Sequence, residues 1–113
     1  MSELTRLPAS VLREKIAARK VSPVELTEAV LARAEKLQPV LNCFITIAAD
    51  QARAAARQAE DAVMQGSPLG LLHGIPFAAK DLVNTAGVRT TFGSLHHDDN
   101  VPKEDAVAAA RLK

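Results

Sequence analysis

Apolar positions recur at helical spacing through the first half of the chain. Leu12 and Ile16 lie four residues apart, on one face of a short helix running to about Lys20. Pro8 reads as an early helix residue, because its missing N–H costs nothing there. Ser22-Pro23-Val24-Glu25 is a helix start: Ser22 as N-cap, Pro23 as first helical residue, Glu25 as the third position of a capping box. Leu26, Val30, Ala34 and Leu37 then form one stripe, and Gln38-Pro39 is expected to end the helix. Leu41 to Ile47 is rich in β-formers, with Cys43, Ile45 and Ile47 alternating, which predicts a short strand. From Asp50 to about Gln65 the pattern is helical again, with a shallow face of Ala52, Ala55, Ala59 and Ala62, and Gly66 as terminator.

The character changes at Gly66. All five glycines lie between Gly66 and Gly93, with Pro68 and Pro76 among them. Ile75-Pro76-Phe77-Ala78-Ala79 is uncharged and does not alternate, which predicts a strand buried on both faces, with Pro76 near its start. Arg89 to Ser94 reads as a loop or short strand, and Asp105 as the N-cap of a helix over Ala106 to Lys113. That last helix reaches barely two turns and no capping glycine follows, which suggests a piece of something longer. The pattern therefore predicts an α/β chain in one domain: residues 1–66 mainly helical with one short strand, and 67–113 a second stretch built around Lys80.

Composition narrows the partners. Alanine supplies 21 of the 113 residues, whereas phenylalanine supplies three and tryptophan and tyrosine none. Such a core buries little area per residue and suits close helix packing or packing against something larger. Fourteen basic and thirteen acidic residues argue against nucleic acid or an anionic membrane as partner, and the scarcity of aromatics removes stacking platforms for single strands. Met1-Ser2-Glu3 has no basic cluster and no apolar run follows it, and a single cysteine makes no internal disulfide. A cytoplasmic setting is expected from both.

Lys80 carries the most chemistry. At the end of a buried strand it would be desolvated and could serve as a neutral amine base; alternatively it reaches water or pairs with Asp81. His96-His97-Asp98-Asp99 offers metal-ligand types, but adjacent ligands rarely converge on one ion, and a solvated loop is the simpler expectation. His73 sits in a glycine turn, where it could carry a proton but a bond to its own backbone is the simpler expectation, and Cys43 falls on the expected core face as an inert thiol. Neither a phosphate loop nor a GxGxxG fingerprint is present, so no cofactor is expected, and no Gly-x-Ser-x-Gly elbow presents a nucleophilic serine.

Gly70-Leu71-Leu72-His73-Gly74-Ile75-Pro76-Phe77-Ala78-Ala79-Lys80-Asp81-Leu82 resembles the lysine motif of the amidase signature family. Gly87-Val88-Arg89-Thr90-Thr91-Phe92-Gly93-Ser94 resembles the family's next segment, and the Val21 to Thr27 helix start, Leu41 to Phe44 and the Asp105-Ala106 helix entry also match. The resemblance implies the N-terminal helices and first strands of an α/β/α fold with a mixed sheet, with 67–113 as the start of the catalytic core. It also implies amide hydrolysis or transfer through a Ser–cis-Ser–Lys triad, with Lys80 as the lysine. Many relatives have proline at Leu71, valine or isoleucine at Ala79 and a smaller residue at Phe92. The segment carrying the two serines has no counterpart here, and Ser94 does not match it. Without nucleophile or oxyanion hole, these 113 residues are expected to be inactive alone.

The resemblance implies a small-molecule amide as substrate, and a homodimer contact or the other components of an amidotransferase as protein partners. Two rival readings remain. One is a non-catalytic helical interaction module using the Ala52, Ala55 and Ala59 face. The other is a half-enzyme completed in trans by a chain bearing the serines.

Overall fold

The computed structural model describes residues 2–113 and divides into two compact units, one running to Pro76 and the other Phe77–Lys113. Met1 lies outside the described residues.

The first unit holds a 3-10 turn, Glu3–Arg6, and three helices: α1 (Ala9–Ala17), α2 (Pro23–Leu41) and α3 (Ala49–Met64). Helices α2 and α3 pack on one another, and the 3-10 turn rests on α2. Leu12, Ile16, Val21, Leu26 and Val63 form the core, with Leu4, Leu7, Val30, Leu69 and Ile75 packed around it. Ile16 is fully buried. The α1 pair and Leu26 thus face inward as their spacing requires, whereas Val30, Ala34 and Leu37 of the expected stripe are half-buried and Thr27 and Leu31 are buried beside it. On α3 the buried residues are Ala56 and Val63, with Ala52 and Ala59 half-buried and Ala55 exposed. The inward stripe therefore runs through Ala56, one residue on from the expected Ala55.

Helix ends follow local chemistry. Ser22 Oγ accepts from the amides of Val24 (3.0 Å) and Glu25 (3.3 Å), as the capping sequence requires. The same hydroxyl donates to Glu60 on α3, so one side chain both opens α2 and ties it to its neighbour. Helix α3 closes in a Schellman motif: Gly66 takes the left-handed conformation, its N–H bonds to Val63 O, and Ser67 N–H bonds to Ala62 O. Helix α1 closes in the same way, with Arg19 in the left-handed position (φ 58) and donating through Nη2 to Val63 O.

Several expectations fail here. Helix α2 continues through Pro39 to Leu41. Proline forfeits its own N–H bond, but the turn beyond it is kept by Asn42 N–H bonding to Gln38 O, with Asn42 left-handed. The strand expected over Leu41 to Ile47 does not form. Instead the Gln38 side-chain amide donates to Phe44 O (2.7 Å) and accepts from Phe44 N–H (3.1 Å), pairing that backbone as a neighbouring strand would. Cys43 and Ile45 are exposed, so the expected core face does not exist. The strand expected over Ile75 to Ala79 is also absent: Ile75 and Pro76 are half-buried, and Phe77, Ala78 and Ala79 are exposed coil. Among the described residues there is no strand, and the fold seen here is helix and loop.

In the second unit, a 3-10 turn (Leu95–His97) and helix α4 (Val107–Leu112) are the regular elements among the described residues. Loops hold it together: Thr90 N–H bonds to Asn100 O, Asn100 Nδ2 donates to Thr90 O, Gly87 N–H bonds to Pro102 O and Ala106 N–H to Asn84 O. Thr90 and Thr91 are its buried polar residues. Asp105 does not cap α4, whose N-cap is Ala106. Its carboxylate instead accepts from Ala86 N–H (2.7 Å) and Lys113 Nζ (2.9 Å), which draws it below its ordinary value of 3.8, chiefly through Lys113.

Candidate functional site

The glycine turn belongs to the first unit and is pinned at several points. Arg13 Nε donates to Gly70 O (2.7 Å) and Nη2 to Leu69 O (3.2 Å). The two carbonyls use the fork of one guanidinium, a geometry that an ammonium cannot reproduce. His73 Nε2 lies 2.8 Å from Ala59 O; a carbonyl only accepts, so that nitrogen carries the proton. The histidine therefore bonds α3 rather than its own turn. Gly74 has φ +76, and its α-carbon stands against Pro23 and Ile16. Ile75 closes the turn by packing on the core. Each residue of His73-Gly74-Ile75 thus has a structural task within its own unit.

Lys80 belongs to the second unit and is exposed, so the buried setting expected for it is not found. Its backbone is held on a turn. Lys80 O accepts from Val83 N–H (2.8 Å), and Asp81 O accepts from Phe92 N–H (2.9 Å). The Asp81 carboxylate is turned to Thr91, accepting from its N–H (2.8 Å) and from its hydroxyl. These bonds, the hydroxyl's foremost, hold the Asp81 carboxyl below its ordinary value of 3.8. Thr91 Oγ1 in turn accepts from Gly93 N–H (3.2 Å). Lys80 and Asp81, which the sequence could have paired, are therefore engaged differently: the carboxylate goes to a buried threonine and the lysine side chain is exposed.

The other sequence candidates lie elsewhere. His97 meets Phe92 edge to face (ring centroids 5.3 Å apart), and Asp98 pairs with Arg89. Ser94 Oγ accepts from His96 N–H (3.2 Å), a local cap. Among the described residues no three His, Cys, Asp or Glu side chains gather as metal ligands, and no helix is long and apolar enough to cross a membrane. Thr91 and Asn100 escaped the sequence reading as site residues. The signal for Thr91 was an acid ten positions before a Thr-Thr pair; nothing local marks Asn100.

The backbone path recurs in a solved structure. It is a chain of a vestigial protein complex that reveals the evolutionary origins of an s-triazine catabolic enzyme. That chain is 29% identical, with a TM-score of 0.88 over 94% of this chain and 23% of the other. The family follows from the sequence match: the Amidase family model covers residues 25–113, and the chain belongs to the amidase signature family. Similar curated proteins include the A subunits of the glutamyl-tRNA(Gln) amidotransferases of Geotalea daltonii and of Roseiflexus sp., each 43% identical over 98% and 100% of this chain. An amidase of Pseudomonas putida is 41% identical over 94% of it. The chain spans about a quarter of the length of these relatives, 23%, 23% and 22% respectively.

Proposed function

We propose that this chain is the N-terminal part of an amide-hydrolysing or amide-transferring enzyme with an α/β/α mixed-sheet fold, in which Lys80 is the base of a Ser–cis-Ser–Lys triad. The reading rests on the family match across 25–113, which includes the whole lysine motif. In such a site the bridging serine passes the nucleophile's proton to a neutral lysine amine, and an acyl-enzyme forms on the nucleophilic serine. Lys80 stands on a turn whose carbonyls at Lys80 and Asp81 are both bonded, and its side chain is exposed here, where the remainder of an enzyme would cover it. The expected substrate is a small-molecule amide and the expected setting the cytoplasm.

The test is Lys80→Ala in the complete enzyme carrying this segment, assayed on a simple aryl amide. A loss of about 10²–10⁴-fold in kcat is expected for removal of a general base. Retained turnover sinks the assignment. The 113 residues alone are expected to show no hydrolysis, since oxyanion stabilisation and the nucleophile are both missing; measurable turnover by them would refute that.

A second reading is a component of an amidotransferase complex that passes ammonia onward. It is favoured by the names of the two relatives at 43% identity. Copurification of the other components distinguishes it from a free amidase.

A further inference from the structure

We infer that Asp81 is the positioning residue of the lysine turn, acting through Thr91; this rests on the reading of Lys80 as the base. A lysine presented on coil has no helix or sheet to fix its α-carbon, and in this unit the fixing is done next door. Asp81 accepts from the N–H and the hydroxyl of Thr91 through its carboxylate, and from Phe92 N–H through its carbonyl. One residue therefore makes three bonds to a single neighbouring segment. That segment is firm: Thr91 is 5% exposed and Thr90 2%, and Thr90 is bonded through both N–H and carbonyl to Asn100. On the other side, Lys80 O is taken by Val83 N–H.

The chain of support runs from Asn100 through Thr90-Thr91 to Asp81 and so to the α-carbon of Lys80. Among the described residues the Asp81 carboxylate makes no ion pair with Lys80, and its hydrogen bonds go to the Thr91–Gly93 segment. Its influence on a reaction at Lys80 is therefore geometric, and misplacement of a reacting group by about 1 Å can lower turnover about 10²-fold.

The experiment compares Asp81→Asn, Thr91→Val, Thr91→Ser and Lys80→Ala in the complete enzyme. Turnover is normalised to the folded fraction, read from the circular dichroism unfolding curve of each variant. Valine keeps the shape and backbone N–H of Thr91 but removes the hydroxyl; serine restores it. The expected result is a fall in kcat of about 10- to 100-fold for Asp81→Asn and Thr91→Val, with KM within about twofold. Thr91→Ser should return most of the loss. Unchanged kcat in both, or a loss that vanishes on normalisation, overturns the positioning role while leaving Lys80 as the base. Turnover that survives Lys80→Ala overturns both.

Discussion

Gly74 stands with its α-carbon against the ring of Pro23. A methyl group built there would lie 3.0 Å from Pro23 Cγ and 3.2 Å from Ile16 Cδ1, in a backbone conformation of φ +76. Both neighbours are buried, and the pyrrolidine ring is rigid, so neither yields easily. Gly74→Ala is expected to destabilise the first unit by about 2–4 kcal/mol, combining left-handed strain with overpacking. A urea midpoint unchanged from the parent would contradict this. Gly70→Ala is the control, because nothing lies within 4 Å of a methyl there and its φ is not positive.

Ser22→Ala removes two things at once, the cap of α2 and the donor to Glu60. A cost of about 1–2 kcal/mol is expected, at the upper end of the range for an N-cap. Ser22→Asp should keep the cap but set a second carboxylate beside Glu60. Its unfolding midpoint should therefore fall below the parent's and climb again in high salt.

The Glu28–Arg53 pair makes the opposite case. Its two bonds, 2.7 and 3.2 Å, are well formed, yet both side chains are substantially exposed. Solvent screening and the entropy of holding two long side chains offset the attraction. Arg53→Ala is therefore expected to leave the denaturation midpoint unchanged. A clear shift in the curve would mean that the arginine stem packs on α2 more than its exposure suggests.

Two carboxylates make the second unit sensitive to acid. Asp81 and Asp105 both titrate below their ordinary value of 3.8 when folded, through Thr91 and through Lys113 with Ala86. A depressed folded value means that the unfolded chain takes up the proton first. The stability these groups contribute is therefore fully present above about pH 4–5 and is lost as pH falls through the folded values. Hydrogen exchange at Thr91, Phe92 and Ala86 should speed up below about pH 4 relative to amides of α2. Exchange in Asp81→Asn should lose part of that pH dependence; identical profiles in parent and variant would exclude the carboxylate as the cause.

What could be read from the sequence was local. As a cap Ser22 bonds two and three residues on, Gly66 bonds three residues back, and Leu12, Ile16 and Leu26 need only the helical repeat to face inward; the bond from Ser22 to Glu60 was not legible. What failed depended on partners at a distance. The Leu41 to Ile47 and Ile75 to Ala79 segments have strand composition, but a strand exists only when another backbone pairs with it. Asp105 looked like a cap because caps are the usual role of an aspartate before a helix, but Ala86 and Lys113 claim it. The motif around Lys80 was legible, whereas the bonds that hold its neighbours were not: Thr91 lies ten positions on from Asp81, and Asn100 ten from Thr90.

The Gln38 amide has a consequence for mutational freedom. It grips Phe44 only by the backbone N–H and carbonyl, features that every residue but proline offers alike. The loop from Cys43 to Ile45 is therefore free to drift in side chain while Gln38 is not. A saturation scan should find most substitutions at Cys43, Phe44 and Ile45 tolerated, proline at Phe44 rejected, and Gln38 intolerant even of glutamate, which cannot donate to the Phe44 carbonyl.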